Sequence, residues 1–389
     1  MIKYRMVKFY FKNLNFTLIN NKTYFLGMES QSPLKILLDS RTYAIYNFRS
    51  CSYESLYHSI AKFIDDDDPT FELLVPFGNN WIHIKDDISL TTYVLRAVCP
   101  LIYVNEPGTP CILRAQTYNI TKFDDDPDWD KRKHMIVQQI KKTNPDILCL
   151  QDIKNDPYHG QCLFERTFRW LTESFLLDKP KGRNMLKEIL DAIPEYPYYY
   201  WHDSMVYKDG TIEGIAVISR YPISDVTSIK LSSSKEDSNE RYCIRALISH
   251  PKKAFEVFNV QMTTDNKRQV MQASEILGFM DKSDKGRIPQ ILLGDFKIKE
   301  KYQVPGDVLE GKYHIKQQLS TLKDAWKTKE SEGNGFTYPS WSSYNRFDRI
   351  YYRNLEEPPN CEVVGKALSK KTWASSHCSV YADFILSLC

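Results

Sequence analysis

What the 389-residue chain lacks narrows it before anything it contains. Its nine cysteines are odd in number and scattered without a CxxC pair; Cys149 and Cys243 sit in apolar strand contexts, as buried reduced thiols do. That pattern points to a reducing compartment, intracellular and either cytoplasmic or nuclear. The first residues, MIKYRMVKFYFKNLNF, interleave Lys and Arg with aromatics and hold no unbroken apolar stretch, so no signal peptide or membrane span is expected there. Excess charge of one sign is also missing. Fifty-two basic against 49 acidic residues leave +3, which gives no global basic field of the kind that marks a nucleic-acid binder and leaves room only for a local patch. There is no solenoid repeat. With 42% hydrophobic and 26% charged residues, disorder and low complexity are excluded as well.

What is present reads as two folded parts. The length exceeds one ordinary core. Residues 1–105 hold short alternating runs (KFYFKNLNFTL, TYAIYNF, FELLVPF, NWIHI) and a helical stretch, SYESLYHSIAKFI, opened by Ser52. The order of these elements, closed by DDISLTTYVLRA and LIYV, suggests a small α+β domain of ubiquitin-like roll type and a surface for a protein partner. A Pro/Gly linker, 106–110, follows within NEPGTP. From 111 to 389 strands and helices are mixed, which predicts two packed sheets flanked by helices. In DWDKRKHMIVQQIKKT, Met135, Ile136 and Ile140 mark an apolar face, Lys131, Lys133, Lys141 and Lys142 face water, and Asn144-Pro145 ends the helix. Further helices are expected over LFERTFRWLTESFL, NMLKEILDAI and NKRQVMQASEILGFM.

Four polar residues stand at strand ends in apolar surroundings: Asn119 after RAQTY, Asp152 after ILCLQ, Asp295 after ILLG, and His377 before CSVYADF. A polar residue there is ordinarily a cap or turn former. Taken together, two carboxylates and an amide supply hard oxygen ligands for Mg²⁺, and a histidine can take a proton from water, with Asp348 of RFDRI to orient it. That chemistry suits cleavage of a phosphate ester.

The succession TYNI, PDILCLQDI, EGIAVISRYPI, ILLGDFKI, GFTYPS, RFDRIYYR and SSHCSVYADF, over roughly the last seven tenths of the chain, resembles the endonuclease/exonuclease/phosphatase superfamily. The resemblance implies a four-layer αββα sandwich and Mg²⁺- or Mn²⁺-dependent hydrolysis of phosphate esters, nucleic acid among them. Under it Asn119 matches the metal-site asparagine, Asp295 the aspartate of GDxN, His377 the histidine of SDH, and Asp348 its supporting aspartate. It implies a metal held by Asp152, Asp295 and Asn119, and arginines Arg241 and Arg245 that reach substrate phosphate. Four positions depart from the pattern: Asp152 stands for a glutamate, Gln261 for a histidine, Lys297 for an asparagine and Ser376 for an aspartate.

Lys297 has two readings. It either projects its ammonium between Asp152 and Asp295, replacing a metal ion electrostatically, or lies along the surface with its head in solvent. The function follows suit: a metal-dependent phosphodiesterase or nuclease with impaired activity, in which Gln261 still donates to a phosphate oxygen, or a pseudoenzyme kept as a binding or scaffold module. The aspartate runs FDDDPDWD and IDDDDPT read as solvated turns. Tyr196, Tyr198, Tyr199, Tyr200 and Trp201 read as a strand half in the core and half at the surface, with stacking on a base or lipid head group as the alternative.

Overall fold

Runs rich in β-branched and aromatic residues account for most of the regular structure. The computed structural model describes residues 9–11, 14–18, 34–38, 41–46, 52–64, 71–77, 80–96, 101–106, 110–123, 128–157, 182–233, 240–284, 287–313, 321–328 and 333–386. They form two compact units, one within 9–112 with 249–253 and 386, the other within 113–248 and 254–385.

The first unit contains β1 (Phe9–Phe11), β2 (Leu14–Leu18), β3 (Leu34–Leu38), β4 (Arg41–Tyr46), α1 (Tyr53–Ile64), β5 (Glu72–Phe77), β6 (Asn80–Ile84), α2 (Asp87–Arg96) and β7 (Leu101–Asn105). Its sheet runs β1-β2-β4-β3-β7-β5-β6, with β3 and β7 parallel and the other pairs antiparallel. Ser52 Oγ accepts from the Ser55 N–H at 3.1 Å, capping α1 as expected. The helix lays Leu56 and Ile60 on Leu73, Val75, Ile84 and Val104.

The second unit follows with β8 (Cys111–Asn119), α3 (Trp129–Thr143), β9 (Ile147–Asp156), β10 (Arg183–Asn184), α4 (Met185–Leu190), β11 (Tyr198–Val206), β12 (Ile212–Ser219), β13 (Ile223–Leu231), β14 (Arg241–Ile248), β15 (Phe255–Gln261), α5 (Asn266–Ser283), β16 (Gln290–Asp295), α6 (Val304–Leu309), β17 (Lys323–Asp324), α7 (Ala325–Thr328), β18 (Asp348–Arg353), β19 (Asn360–Val364) and β20 (Ser379–Leu386). One sheet is ordered β11-β12-β9-β8-β20-β19, with β10 on β9; the other is β13-β14-β15-β16-β18-β17. Their inner faces meet. Asn259 of β15 crosses to the carbonyls of Leu150 at 3.1 Å and Ala216 at 2.8 Å, and its own oxygen accepts from Gln151, so this polar staple is fully satisfied inside an apolar interior. On the outside, α3 and α4 seat Ile136, Ile140, Met185 and Ile189 on Leu148, Leu150 and Ile218, while α5 and α6 seat Ile276, Met280 and Leu309 on Phe258, Leu292 and Tyr351. The result is a four-layer αββα sandwich. Covered on both faces, β12, β15 and β16 are almost wholly buried, hence their near-continuous apolar runs.

α3 departs from its expected face in one respect. Trp129, Arg132, Ile136, Val137, Ile140 and Thr143 are buried, whereas Met135 is half-exposed, because the buried stripe is rotated toward the Arg132 side. Asn144 ends the helix in the left-handed conformation that asparagine tolerates. Lys133 is engaged by Asp130 and Glu188 instead of lying free in water. Tyr196 is a core residue whose hydroxyl donates to the Pro145 carbonyl at 2.6 Å, while Tyr199 of the edge strand β11 is exposed. The helix expected over 163–176 and the aspartates of both runs at 65–68 and 124–126 lie outside the described residues. No described helix is long and apolar enough to cross a membrane.

Candidate active site

Strand register brings the site together. In one sheet Gln261, Asp295 and Asp348 lie abreast on β15, β16 and β18, because Gln261 pairs with Asp295 and Asp295 with Asp348. The parallel pair β15–β16 is close at this end: a Cβ on Gly294 would lie 2.1 Å from the Val260 carbonyl oxygen, so no larger residue fits before Asp295. In the other sheet Asn119 ends β8 opposite Gln151 of β9, next to Asp152. His377 precedes β20.

The side chains divide into two groups. In the first, Asn119 Nδ2 donates to Asp152 Oδ2 at 2.8 Å and Asp295 Oδ2 at 2.9 Å, and Gln261 Nε2 donates to Asp152 Oδ1 at 2.7 Å. Lys297 Nζ stands 3.8 Å from Asp295 Oδ2 with its side chain 15% exposed. Of the two readings of Lys297, the geometry selects the ammonium among the carboxylates. Burial would raise the Asp152 pKa, but the charges of Lys297 and Lys122 and the bonds from Gln261 and Asn119 outweigh it and hold the carboxyl well below its ordinary value. Burial also works against the Lys122 charge, yet Asp152 and Glu213, 2.5 Å away, raise its pKa. Asp152 and Lys297 both carry positive φ, 56° and 53°, a strained conformation of the kind that clusters at functional sites.

In the second group His377 Nδ1 lies 2.8 Å from Asp348 Oδ2, and Asp295, Asp348 and His377 present ligand-type atoms within 4.8 Å of one another, all three residues buried. Burial disfavours the imidazolium, but Asp348 and Asp295 push the His377 pKa up to about 9, so the ring holds a proton at neutral pH. Tyr338 stacks on Phe347 at 4.9 Å and stands 4.8 Å from the His377 ring, an aromatic wall that keeps water off that side.

The arginines separate. Arg241 opens β14, is buried, and acts electrostatically on Tyr207, which is itself hydrogen-bonded to Glu213 near Asp152. Arg245 is not brought to the cluster: its guanidinium is held by Glu256 at 2.7 Å and by Asp225 at 2.8 Å, and Glu256 stands near the opposite end of β15 from Gln261. Ser376 makes a hydroxyl contact with Thr121 at 2.7 Å. Lys122, Thr121 and Arg132 were not among the residues picked from sequence. Only the position of Lys122, three residues past Asn119, could have signalled it.

The residues present fit a divalent cation poorly where the resemblance places one. Both Asp152 oxygens and Asp295 Oδ2 face N–H donors, and the Asn119 oxygen accepts the Thr121 backbone N–H at 2.9 Å. Hard-cation binding requires those oxygens free. Only Asp295 Oδ1 and Asp348 Oδ1 are buried carboxylate oxygens of the cluster without a hydrogen-bond partner.

The endonuclease/exonuclease/phosphatase family profile matches residues 117–377, a span that opens two residues before Asn119 and closes on His377. The chain belongs to that family. Among solved structures, a Bacteroides thetaiotaomicron protein of the family is 20% identical, covering 72% of this chain and 100% of its own, with a TM-score of 0.53. A mannosyl-6-phosphatase from Bacteroides thetaiotaomicron VPI-5482 is 19% identical over 70% of this chain and 99% of its own, with a TM-score of 0.50. A truncated TDP2 from Caenorhabditis elegans is 15% identical, covering 70% and 97%, also with a TM-score of 0.50. At these identities the likeness is one of fold. No curated protein matches the sequence.

Proposed function

We propose that the second unit is a phosphate-ester-binding module in which protein cations take the electrostatic role of the family's metal, so that hydrolysis is strongly reduced. One observation carries this reading: Asp152 and Asp295 are already supplied with N–H donors and positive charge by Asn119, Gln261, Lys297 and Lys122. A lysine contributes charge without an open coordination position. Glutamine at 261 donates a hydrogen bond but cannot exchange a proton, and losing an acid–base group typically lowers a rate by about 10²-fold or more. Further cations are close in the chain to the site residues: Lys154 lies over the rings of Phe123 and Tyr207 at 5.4 and 5.7 Å, and Lys299, Lys301, Lys370 and Lys371 are exposed on the loops that follow Asp295 and precede His377. In this module His377, protonated on Asp348, is a donor to a phosphate oxygen.

A second reading, metal-dependent hydrolysis of the kind general in the family, is favoured by the intact His377–Asp348 pair beside the unpartnered Asp295 Oδ1. Hydrolysis of single-stranded DNA, RNA and an aryl phosphodiester with Mg²⁺ or Mn²⁺, by the wild type and His377→Ala, separates the two. Equal background rates are expected; turnover abolished by the substitution would establish the phosphodiesterase.

We read residues 1–105 as a separate ubiquitin-like roll joined through 106–110, and as the part that meets a protein partner. The order β4-β3-β7-β5-β6 about a parallel β3–β7 pair, with α1 packed on one face, supports the roll. An intracellular setting agrees with Cys111, Cys149, Cys243, Cys361 and Cys378 being buried thiols.

A further inference from the structure

The loop that leaves Asn119 and the loop that delivers His377 are tied together by Thr121 and Arg132, which the family pattern does not single out, and by Ser375 and Ser376, the two residues that precede His377 in the SDH position. Thr121 has φ 52°, a left-handed backbone that a β-branched residue adopts only when its surroundings impose it. What imposes it is visible on every side. Arg132, buried on α3, donates to the carbonyls of Ile120 at 2.5 Å, Thr121 at 2.6 Å and Lys122 at 3.1 Å, and across to Ala374 at 3.0 Å. The indole of Trp373 covers its guanidinium at 4.8 Å.

A chain of hydroxyls completes the tie. Ser375 Oγ donates to the Asn119 carbonyl at 2.6 Å, so its proton is committed. Thr121 Oγ1, 2.8 Å away, is therefore the donor to Ser375, and Ser376 Oγ, 2.7 Å from Thr121, is the donor to Thr121. The Ser376 N–H also reaches Thr121 Oγ1 at 3.1 Å, and the His377 N–H reaches Ser375 Oγ at 3.1 Å.

The consequence falls on Asn119. In this conformation the Thr121 N–H points at Asn119 Oδ1, 2.9 Å away, which fixes the amide with its oxygen outward and its nitrogen toward Asp152 and Asp295. An amide has one acceptor and one donor end, and Thr121 decides which faces the carboxylates.

We propose that Thr121, clamped by Arg132, Ser375 and Ser376, is a positioning residue that sets the polarity of Asn119 and thereby holds the site in a preformed, cation-independent state. The inference rests on the phosphate-binding reading for its functional consequence, though not for its geometry. Ser376 then has a reason to be a serine: it supplies the last proton of the hydroxyl chain, which an ionised aspartate could not.

The test compares wild type with Thr121→Val, which keeps the shape and removes the hydroxyl, and Thr121→Ser, which restores it; Ser376→Ala is the milder variant should Val fail to fold. Two quantities are read: hydrogen exchange of the Asn119 side-chain amide by ¹⁵N NMR, and affinity for inorganic phosphate without added metal. Loss of one positioned hydrogen bond corresponds to about a tenfold change. We expect Thr121→Val to speed amide exchange and weaken phosphate binding about tenfold each, Thr121→Ser to restore both, and Ser376→Ala to fall between. Unchanged Asn119 exchange in Thr121→Val, or in Ser376→Ala if only that variant folds, would overturn the inference. If the wild type binds no phosphate, the binding reading fails while the exchange result still decides the role of Thr121.

Discussion

The two groups of the site make an instructive contrast. His377, Asp348 and Asp295 keep the residues that the family pattern predicts, and their meeting is dictated by backbone: two of the three are register partners on neighbouring strands, and the third enters a strand two residues later. Asp152, Gln261 and Lys297 all depart from the pattern, and two of the three sit in left-handed backbone where strands have just ended or bulged. Register cannot vary by one residue without turning whole strands over, whereas a side chain on a strained loop can be exchanged without disturbing the core. The proton-holding half thus keeps the family's residues, and the half expected to carry a cation is where a built-in one has been substituted.

Removing that built-in cation should have the largest effect. Lys297→Met leaves Asp152 and Asp295 with less compensation in a buried setting, and a loss of about 3 kcal/mol is expected in urea unfolding at pH 7, the usual cost of breaking a buried pair from one side. A variant as stable as the wild type would mean that Lys297 does not hold this half together.

Arg245→Met sharpens the contrast from outside the site. It strips the fully buried Glu256 of its cation, so about 2 kcal/mol of stability should be lost, yet phosphate affinity should not change because Arg245 is not part of the cluster. Arg241→Met should do the reverse, weakening phosphate binding, and a shared phenotype would erase the distinction between the two arginines.

A smaller, graded effect should appear with pH. His377 has its folded pKa raised to about 9 from an ordinary 6.5, so the folded state binds more protons between these values. The stability it contributes is fully present below pH 6.5 and declines as the pH rises through 9. Asp348→Asn removes the carboxylate bonded to His377 that raises its pKa, and should flatten that basic limb in denaturation curves recorded from pH 6 to 10.

Much of the fold was legible because buried strands such as ILLGD and ILCLQ announce themselves as apolar runs ending in a single polar residue. The same feature found Asn119, Asp152 and Asp295, and its mirror image, a polar residue just before an apolar run, found His377. Arg132 was not legible, since DKRKH reads as a basic face in water and only tertiary packing buries one of its three cations beneath Trp373. Nor was the left-handed Thr121, for nothing in NITKF requires it; the clamp comes from Arg132 on the next helix and from Ser375 and Ser376, more than 250 positions away. Lys297 stayed ambiguous because its head turns back onto Asp295, two residues before it, only where Asp152 of the other sheet adds a second carboxylate, and that meeting is tertiary. Arg245 shares a strand with Arg241, but four residues along a strand is about 13 Å, enough to leave the site for Glu256 and Asp225.

The most direct test of the central claim is a thermal-shift titration of the wild-type protein with Mg²⁺ and, separately, with phenyl phosphate in chelator. Any ligand that binds only the folded state must raise the midpoint. Stabilisation by phenyl phosphate without metal, and none by Mg²⁺ at millimolar concentration, is the result predicted. A rise with Mg²⁺ that disappears in Asp295→Ala would contradict it, because the metal would then be binding where Lys297 is claimed to stand.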